Sequence, residues 1–159
     1  MDTFRIHRGA KIMSVQWNTY GIKILSATNG REYKPFGVNP RMKPLLERLF
    51  RDWKAVGVVS VYTNGFVCNR TVRGGKSTSK HSEGLKSNGY KKWGDGTNGT
   101  LAFDFRKMLY DDGSALVVTN DHDRAFFIEL FQIKGWKVLH KGTPGDPKVV
   151  PDHLHVQVK

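Results

Sequence analysis

The segment His153-Leu154-His155-Val156-Gln157-Val158-Lys159 alternates in the manner of a β-strand with one buried face. Side chains two residues apart on a strand share a face, so His153 and His155 point to one side while Val156 and Val158 line the other. A pair of imidazoles on one strand face can form half of a metal site. Because the pair lies near a chain end, it can equally be solvated, and the segment alone leaves both interpretations open.

A first helix is predicted from Asn39-Pro40, with Asn39 as its cap and Pro40 in its first turn. Its apolar residues recur at three- and four-residue spacing, which predicts one face packed on a core. They are Met42, Leu45, Leu46, Leu49, Phe50 and Trp53. Gly57 is expected to end the helix.

A second helix is predicted to begin at Asn120 or Asp121, either of which can cap it, and to end at Gly135. Its buried stripe is predicted to consist of Ala125, Phe126, Phe127, Leu130, Phe131 and Ile133.

Several short apolar or alternating segments predict strands. They are Ile12–Trp17, Ile22–Ser26, Val58–Tyr62, Leu101–Phe105, Ala115–Thr119, Trp136–His140 and His153–Val158. Two helices over such strands predict an α+β fold, a mainly antiparallel sheet packed by two helices, in a single domain over residues 1–159. Residues 1–38 are interpreted as an N-terminal extension.

The composition limits the chemistry and the partners. Lys and Arg total 26 against 14 acidic residues, a net charge of +12, which attracts polyanions such as an anionic cell envelope or nucleic acid. A single cysteine, Cys68, excludes an internal disulfide and a thiolate zinc cage, so any zinc site must use His, Asp or Glu. No apolar run is long enough for a transmembrane segment or a signal peptide. We therefore expect a protein that is made in a bacterial host cytoplasm and is not exported by a visible signal. We also expect a monomer.

Upstream of the terminal histidines lie two further candidate ligands. His81 stands in a Gly- and Ser-rich loop, and Asp104 stands in the predicted strand Leu101–Phe105. Together with a terminal histidine they supply two nitrogens and one oxygen. Such a set leaves a fourth zinc position for water, as catalytic sites require.

These residues resemble a known family. Ser79-Lys80-His81-Ser82-Glu83-Gly84, continued by Leu101-Ala102-Phe103-Asp104, is similar to the S-x-H-x-x-G-x-A-x-D signature of zinc peptidases that cut peptidoglycan peptides. These are the D-Ala-D-Ala carboxypeptidases, the L-alanyl-D-glutamate endopeptidases of phage lysins and the penicillin-insensitive murein endopeptidases. Asp152-His153-Leu154-His155 resembles their C-terminal signature. The similarity covers roughly residues 40–159.

One departure from the family pattern is plain. The family has Asp seven residues after the first His, whereas 23 residues separate His81 from Asp104. Removing residues 85–100 restores the motif, so we interpret them as an insertion at the lip of the site. The insertion is either a flexible tongue or a flap that grips substrate or a partner, and in the second case Tyr90 and Trp93 would bind substrate.

The resemblance implies Zn²⁺ held by His81, Asp104 and His155. It also implies that His153 activates the water or stabilises the oxyanion, with Asp152 as the alternative base. The same resemblance implies that Arg70, or alternatively Arg73, binds the substrate carboxylate or the oxyanion.

Two functions follow as hypotheses. The first is a zinc metallopeptidase acting on peptidoglycan peptides, most similar to a phage or prophage lysin. Having no visible signal peptide, such an enzyme would reach the wall after release from the host cytoplasm or would travel in a virion. The second is a non-catalytic basic module with a structural metal, which binds nucleic acid or a virion partner.

Overall fold

The computed structural model describes residues 5–7, 10–12, 15–33, 38–66, 79–82, 85–86, 89–90, 93, 95, 97–139 and 152–159. In chain order, the elements are β1 (Arg5–His7), β2 (Ala10–Ile12), β3 (Lys23–Ser26), α1 (Lys43–Ala55), β4 (Val58–Asn64), β5 (Leu85–Lys86), β6 (Gly89–Tyr90), β7 (Ala102–Tyr110), β8 (Ala115–Val117), α2 (Asp121–Ile133), β9 (Trp136–Leu139) and β10 (Leu154–Val158).

Six strands form the main sheet, in the order β3-β4-β7-β10-β9, with β8 also paired to β7. The β3–β4 pair is parallel, and the other pairs of this sheet are antiparallel. Strands β1 and β2 form a separate pair, as do β5 and β6. The predicted α+β fold, two helices on a mainly antiparallel sheet, is therefore confirmed.

Both helices pack on one face of the sheet, where they meet over Phe105 of β7. The Phe105 ring lies 5.8 Å from Trp53 of α1 and 4.6 and 5.3 Å from Phe127 and Phe131 of α2. All four aromatic side chains are buried. Burial of large aromatic side chains is a major source of stability, so this cluster holds the helices and the central strand in a fixed relation.

Helix α1 begins later than the sequence predicts. The Asn39 side chain accepts a hydrogen bond from Arg41 N, and the Asn39 carbonyl accepts one from Met42 N, so residues 39–42 form a turn instead of the first helical residues. The helix starts at Lys43 with Pro44 in its first turn. The predicted apolar face is correct, and Gly57 follows the helix with a φ of 91°.

Helix α2 has the predicted cap, because Asn120 accepts a hydrogen bond from Asp123 N at 3.0 Å. The predicted stripe is wrong in part. Phe127 and Phe131 are buried, but Ala125, Phe126 and Ile133 are exposed, Ile133 with 73% of its surface. Residues 127 and 131 are one turn apart and share the sheet-facing side, whereas 126 and 133 lie more than about 100° around the helix from that side.

The strand predicted over Ile12–Trp17 does not extend to its predicted end. Strand β2 ends at Ile12, and among the described residues 15–17 the one pairing is a bridge from Val15 to Val38. In contrast, β7 runs five residues beyond its predicted end at Phe105, because its second half pairs with β4 and β8. The strands predicted over Trp136–His140 and His153–Val158 correspond to β9 and β10, which pair antiparallel.

Among the described residues, no helix is both long and apolar enough to cross a membrane.

Candidate metal centre

The centre of the candidate site is a row of paired residues across the sheet. Asp104 of β7 pairs with His155 of β10 on one side and with Asn64 of β4 on the other. Directly paired residues share a face. Phe103 and Phe105 are buried in the aromatic core, so Asp104 between them points to the opposite face, which the two helices leave uncovered.

His81 reaches this face from a short turn. Ser82 N donates to the Ser79 carbonyl, and His81 N donates to Ser79 Oγ. Leu101 N, at the entrance to β7, donates to the Lys80 carbonyl at 2.8 Å. The loop that carries the first histidine is therefore tied to the strand that carries Asp104, and His81 is 2% exposed.

Three side chains converge here, and they are the three ligands that the resemblance implies. His81 Nε2 lies 3.2 Å from Asp104 Oδ1, His155 Nδ1 lies 3.6 Å from the same oxygen, and the two imidazole nitrogens lie 2.9 Å apart. Their ligand atoms all lie within 4.8 Å of one another. The group could hold a metal ion.

In each of the two imidazoles, the ring nitrogen that faces away from the centre forms a hydrogen bond that fixes the tautomer, and with it whether the nitrogen facing the centre, the inner nitrogen, carries a lone pair. His81 Nδ1 contacts the Gly65 carbonyl, which can only accept, so this nitrogen donates its N–H. His155 Nε2 lies 2.7 Å from Gln157 Oε1 and donates to it. In the neutral rings, both inner nitrogens therefore carry lone pairs. Two lone pairs and a carboxylate oxygen face one another at 2.9 to 3.6 Å, and a cation between them would relieve their repulsion.

Asp104 is ionised in this setting. Burial alone would raise the pKa of its carboxyl, but the His155 and His81 imidazoles and the neighbouring His153 hold the pKa well below its ordinary value. Asp104 Oδ1 is buried and has no hydrogen-bond partner among the described residues. A buried anionic oxygen without a donor is costly, and a metal ion is a suitable partner.

The spacing of the ligand atoms fits a small tetrahedral ion. Bonds of about 2.0–2.1 Å at tetrahedral angles place two ligand atoms about 3.3 Å apart. The three separations of 2.9, 3.2 and 3.6 Å bracket that value. Two nitrogens and one oxygen with no sulfur suit a borderline cation with one coordination position left open.

A second acid–base pair borders the three ligands. His153 Nε2 lies 3.7 Å from Asp104 Oδ1, on the same face as His155. Its Nδ1 lies 2.9 Å from Asp152 Oδ1 and donates to it, which leaves Nε2 with its lone pair towards the ligands. The Asp152 side chain is 54% exposed and that of His153 is 30% exposed. Arg124 of α2 donates to the His153 carbonyl at 3.3 Å.

Gly65 closes the back of the site. It follows β4 with a φ of 73°, a conformation that L side chains rarely adopt. A Cβ atom at this position would lie 2.7 Å from His81 Nδ1 and 3.0 Å from Asp104 Oδ2. The absence of a side chain therefore lets the backbone approach His81 closely enough to orient it.

The insertion is held against the turn that precedes α1. Trp93 Nε1 donates to the Gly99 carbonyl, Asn39 Nδ2 donates to Thr97 Oγ1, and Arg41 forms an ion pair with Asp95 at 2.8 Å. Trp93 is half-buried. These contacts fasten Trp93, Asp95 and residues 97–99, which belong to the second half of the insertion.

The remaining candidates divide as follows. Tyr90 lies in β6, within the insertion. Arg70 and Arg73, the candidates for binding a substrate carboxylate, lie outside the described residues, as does Cys68.

Sequence reasoning missed two residues that orient the ligands. Gln157 follows His155 by two residues, so strand alternation alone could have placed it on the ligand face. The role of Gly65 depends on its approach to His81, which is 16 residues away in sequence, and no local pattern signals that approach.

No protein-family model, no curated protein and no solved structure matches the chain.

Proposed function

We propose that this protein is a zinc metallopeptidase that hydrolyses peptide bonds in bacterial peptidoglycan stem peptides or cross-links, in the manner of phage lysins. The observation that carries the proposal is the convergence of His81 Nε2, Asp104 Oδ1 and His155 Nδ1, with no hydrogen-bond donor for the carboxylate oxygen among the described residues. The similarity of the Ser79–Gly84 and Leu101–Asp104 segments to the peptidase signature supports the same conclusion.

His81, Asp104 and His155 would hold the ion. Bound Zn²⁺ supplies Lewis acidity, which lowers the pKa of water at the site towards about 7 and polarises a carbonyl group. Asp104 contributes a negative charge that partly offsets the charge of the cation. Gly65 and Gln157 hold the two imidazoles in the tautomers that present lone pairs to the centre.

His153 is the general base in this proposal, and Asp152 orients it. Asp152 accepts the Nδ1 proton of His153, so Nε2 is free to take a proton from the attacking water and later to deliver it to the leaving amine. The Asp152 carboxylate then stabilises the imidazolium that forms. This arrangement favours His153 over Asp152 as the base, because Asp152 engages the far nitrogen of the ring.

The places where the enzyme is made and where it acts belong to the same proposal. Synthesis in a bacterial host cytoplasm, followed by action on the wall after release or from a virion, suits a lysin. The charge of +12 would favour contact with an anionic cell envelope.

Metal analysis and a cleavage assay on purified protein test the proposal together. We expect about one zinc per chain and the release of new peptide ends from purified peptidoglycan, identified by mass spectrometry of the muropeptides. His81→Ala should lose both the zinc and the cleavage. His122→Ala is the matched control, because the His122 side chain, on α2, is 95% exposed and belongs neither to the ligand set nor to the His153–Asp152 pair.

Two outcomes would contradict the proposal. One is wild-type protein without stoichiometric zinc, and the other is full cleavage by His81→Ala. Tight, salt-sensitive binding to DNA with no muropeptide cleavage would favour the non-catalytic binding module.

The roles of His153 and Asp152 need a separate comparison. We expect His153→Gln to lower kcat by about 10²- to 10⁴-fold with zinc content unchanged. Asp152→Asn should give a smaller loss, since the base remains and only its orientation is weakened. A larger loss in Asp152→Asn than in His153→Gln would reverse the two assignments.

A further inference from the structure

Three cationic residues, Lys80, Arg41 and Lys137, lie on segments that meet beside the candidate metal centre. Lys80 directly precedes the ligand His81, and its carbonyl accepts from Leu101 N, next to Ala102. Ala102 lies in one row across the sheet with Gln157 and Lys137, and Arg41 pairs with Asp95 of the insertion. The three cations come from the ligand loop, the turn before α1 and strand β9, so the fold gathers them from distant parts of the chain.

Lys80 is held in place by the insertion. Its Nζ lies 4.7 Å from the centre of the Trp93 ring, a cation–π contact. Trp93 is itself fixed, since its backbone N–H donates to Thr97 O at 2.8 Å and its indole N–H donates to Gly99 O at 2.9 Å. The ammonium group is therefore positioned by a rigid ring.

Two of the three cations have no counter-ion in the described part of the chain. Asp95, the acid of the cluster, is 2.8 Å from Arg41. Within residues 15–33, 38–66, 79–82, 97–139 and 152–159, no carboxylate forms an ion pair with Lys80 or Lys137. Like charges gathered without a counter-ion repel one another, and a bound anion would relieve that repulsion.

Lys137 and the proposed base, His153, lie on opposite sides of His155 along the direction of β10. The face of the sheet that carries Asp104 and His155 is called the ligand face. Lys137 pairs with Gln157, whose side chain accepts a hydrogen bond from His155, so Lys137 lies on the ligand face. Gln157 is two residues, or about 7 Å, beyond His155 along β10, and His153 is the same distance before it. A peptide lying along this face would have its reacting bond at the centre and a neighbouring residue at the cations.

We propose that Lys80 and Lys137, supported by Arg41, form a subsite for a second carboxylate of the peptide substrate, two or three residues from the bond that is cut. An extended peptide advances about 3.3–3.6 Å per residue, which matches the spacing along β10. The Arg41–Asp95 pair shows that this cluster already accommodates one carboxylate. The inference rests on the proposed peptidase function and names a feature of its substrate.

The test compares two synthetic peptidoglycan stem peptides that differ in one group. One carries a free carboxylate on its acidic residue, and the other carries the carboxamide. We expect wild-type protein to cleave the free acid with the higher kcat/KM. Lys80→Gln and Lys137→Gln should each reduce that preference by about three- to tenfold, mainly through a higher KM for the free acid, with a smaller change in kcat/KM for the amidated peptide.

Lys23→Gln is the matched control. It removes the same charge from an exposed position of β3, at the far edge of the sheet. If it lowers the preference as much as the other two variants, the effect is one of total charge and the subsite is disproved. Zinc content is measured for all variants, and Lys137→Gln is decisive should Lys80→Gln disturb the adjacent ligand.

Failure of the subsite and failure of the peptidase function give different results. An unchanged acid-to-amide ratio in Lys80→Gln and Lys137→Gln overturns the subsite while cleavage persists. If wild-type protein cleaves neither peptide, calorimetric binding of the same two peptides decides. If the free acid binds more tightly and this difference depends on Lys80 and Lys137, the subsite is supported although the peptidase function is not. If the two peptides bind equally, both the subsite and the peptidase function are overturned.

Discussion

The two faces of the sheet are built by the same strands but serve different purposes. On the helix-covered face, Phe103, Phe105, Leu154 and Val156 are buried in an apolar core. On the other face, the intervening residues Asp104 and His155 carry the candidate metal ligands. Alternation along β7 and β10 thus places Asp104 and His155 each between two core residues. The packing of one face fixes the spacing of the ligands on the other.

This comparison implies that stability and metal binding can be separated by changing adjacent residues. Phe105→Ala removes a fully buried ring from the junction of both helices, and we expect a loss of about 3–5 kcal/mol in the free energy of unfolding. Asp104→Asn should instead abolish zinc binding and leave the fold intact. Urea unfolding and zinc titration of both variants test this. If Asp104→Asn destabilises the metal-free protein as much as Phe105→Ala does, the two faces are not separable.

Gly65 sharpens the comparison, because there the backbone itself contributes to the ligand face. Gly65→Ala adds a Cβ 2.7 Å from His81 Nδ1 at a φ of 73°. We expect a destabilisation of about 1–3 kcal/mol and a zinc affinity at least about tenfold weaker. Gly113→Ala is the control, since its φ is 86° but nothing lies within 4 Å of the added atom. Equal zinc affinity in both variants would refute the role of Gly65.

A substitution at Gln157 should change zinc binding on the ligand face without affecting the core on the other face. Gln157→Leu removes the acceptor of the His155 Nε2 proton, so the imidazole loses its fixed orientation. We expect zinc affinity to fall by about tenfold, with little change in unfolding free energy. Competition with a chromophoric chelator measures the affinity. Gln132→Leu, at an exposed position of α2, should leave it unchanged.

The smallest expected effect concerns Tyr33, whose pKa is influenced by the charge of Asp104 on the ligand face. Burial raises the pKa of Tyr33, its hydrogen bond with Thr63 lowers it and the charge of Asp104 raises it, and together they place the pKa at about 12. An unfolded tyrosine ionises near pH 10. The stability that this group contributes is therefore complete below about pH 10 and is lost as the pH rises towards 12.

Tyr33→Phe should flatten this alkaline decline by about 1 kcal/mol. Thermal unfolding of metal-free wild-type and variant proteins between these pH values measures it. An identical decline in the two proteins would show that Tyr33 does not ionise differently on folding.

The sequence predicted the elements whose signals are local. Alternation marks β10, and the Asn120 cap marks the start of α2, because each depends on a few consecutive residues. The predicted start of α1 at Asn39 was wrong for a related reason, since an asparagine side chain can either cap a helix or support a turn. The contact of Asn39 with Thr97, 58 residues away, accompanies the turn. The exposure of Phe126 likewise depends on which side of α2 meets the sheet, and hydrophobicity does not specify that.

For the site, the sequence predicted residue types and order, and the geometry depends on tertiary pairing. His81, Asp104 and His155 were expected from a motif and now lie together in space. The direct pairing of Asp104 with His155 could not be read from the sequence, because it depends on the register of two strands far apart in the chain. The same holds for Lys80, whose setting arises from Trp93 and from two cations on separate elements.

The hydrogen bond from Leu101 N to the Lys80 carbonyl has a consequence for protein engineering. It joins the chain on either side of the insertion, so the distance between the first two ligands is set at the base of the loop and not by its length. The insertion is accordingly a module whose length and content can be exchanged while the ligands stay in place. A library of grafted loops between residues 85 and 98 would then redirect what the face recognises without redesigning the metal centre.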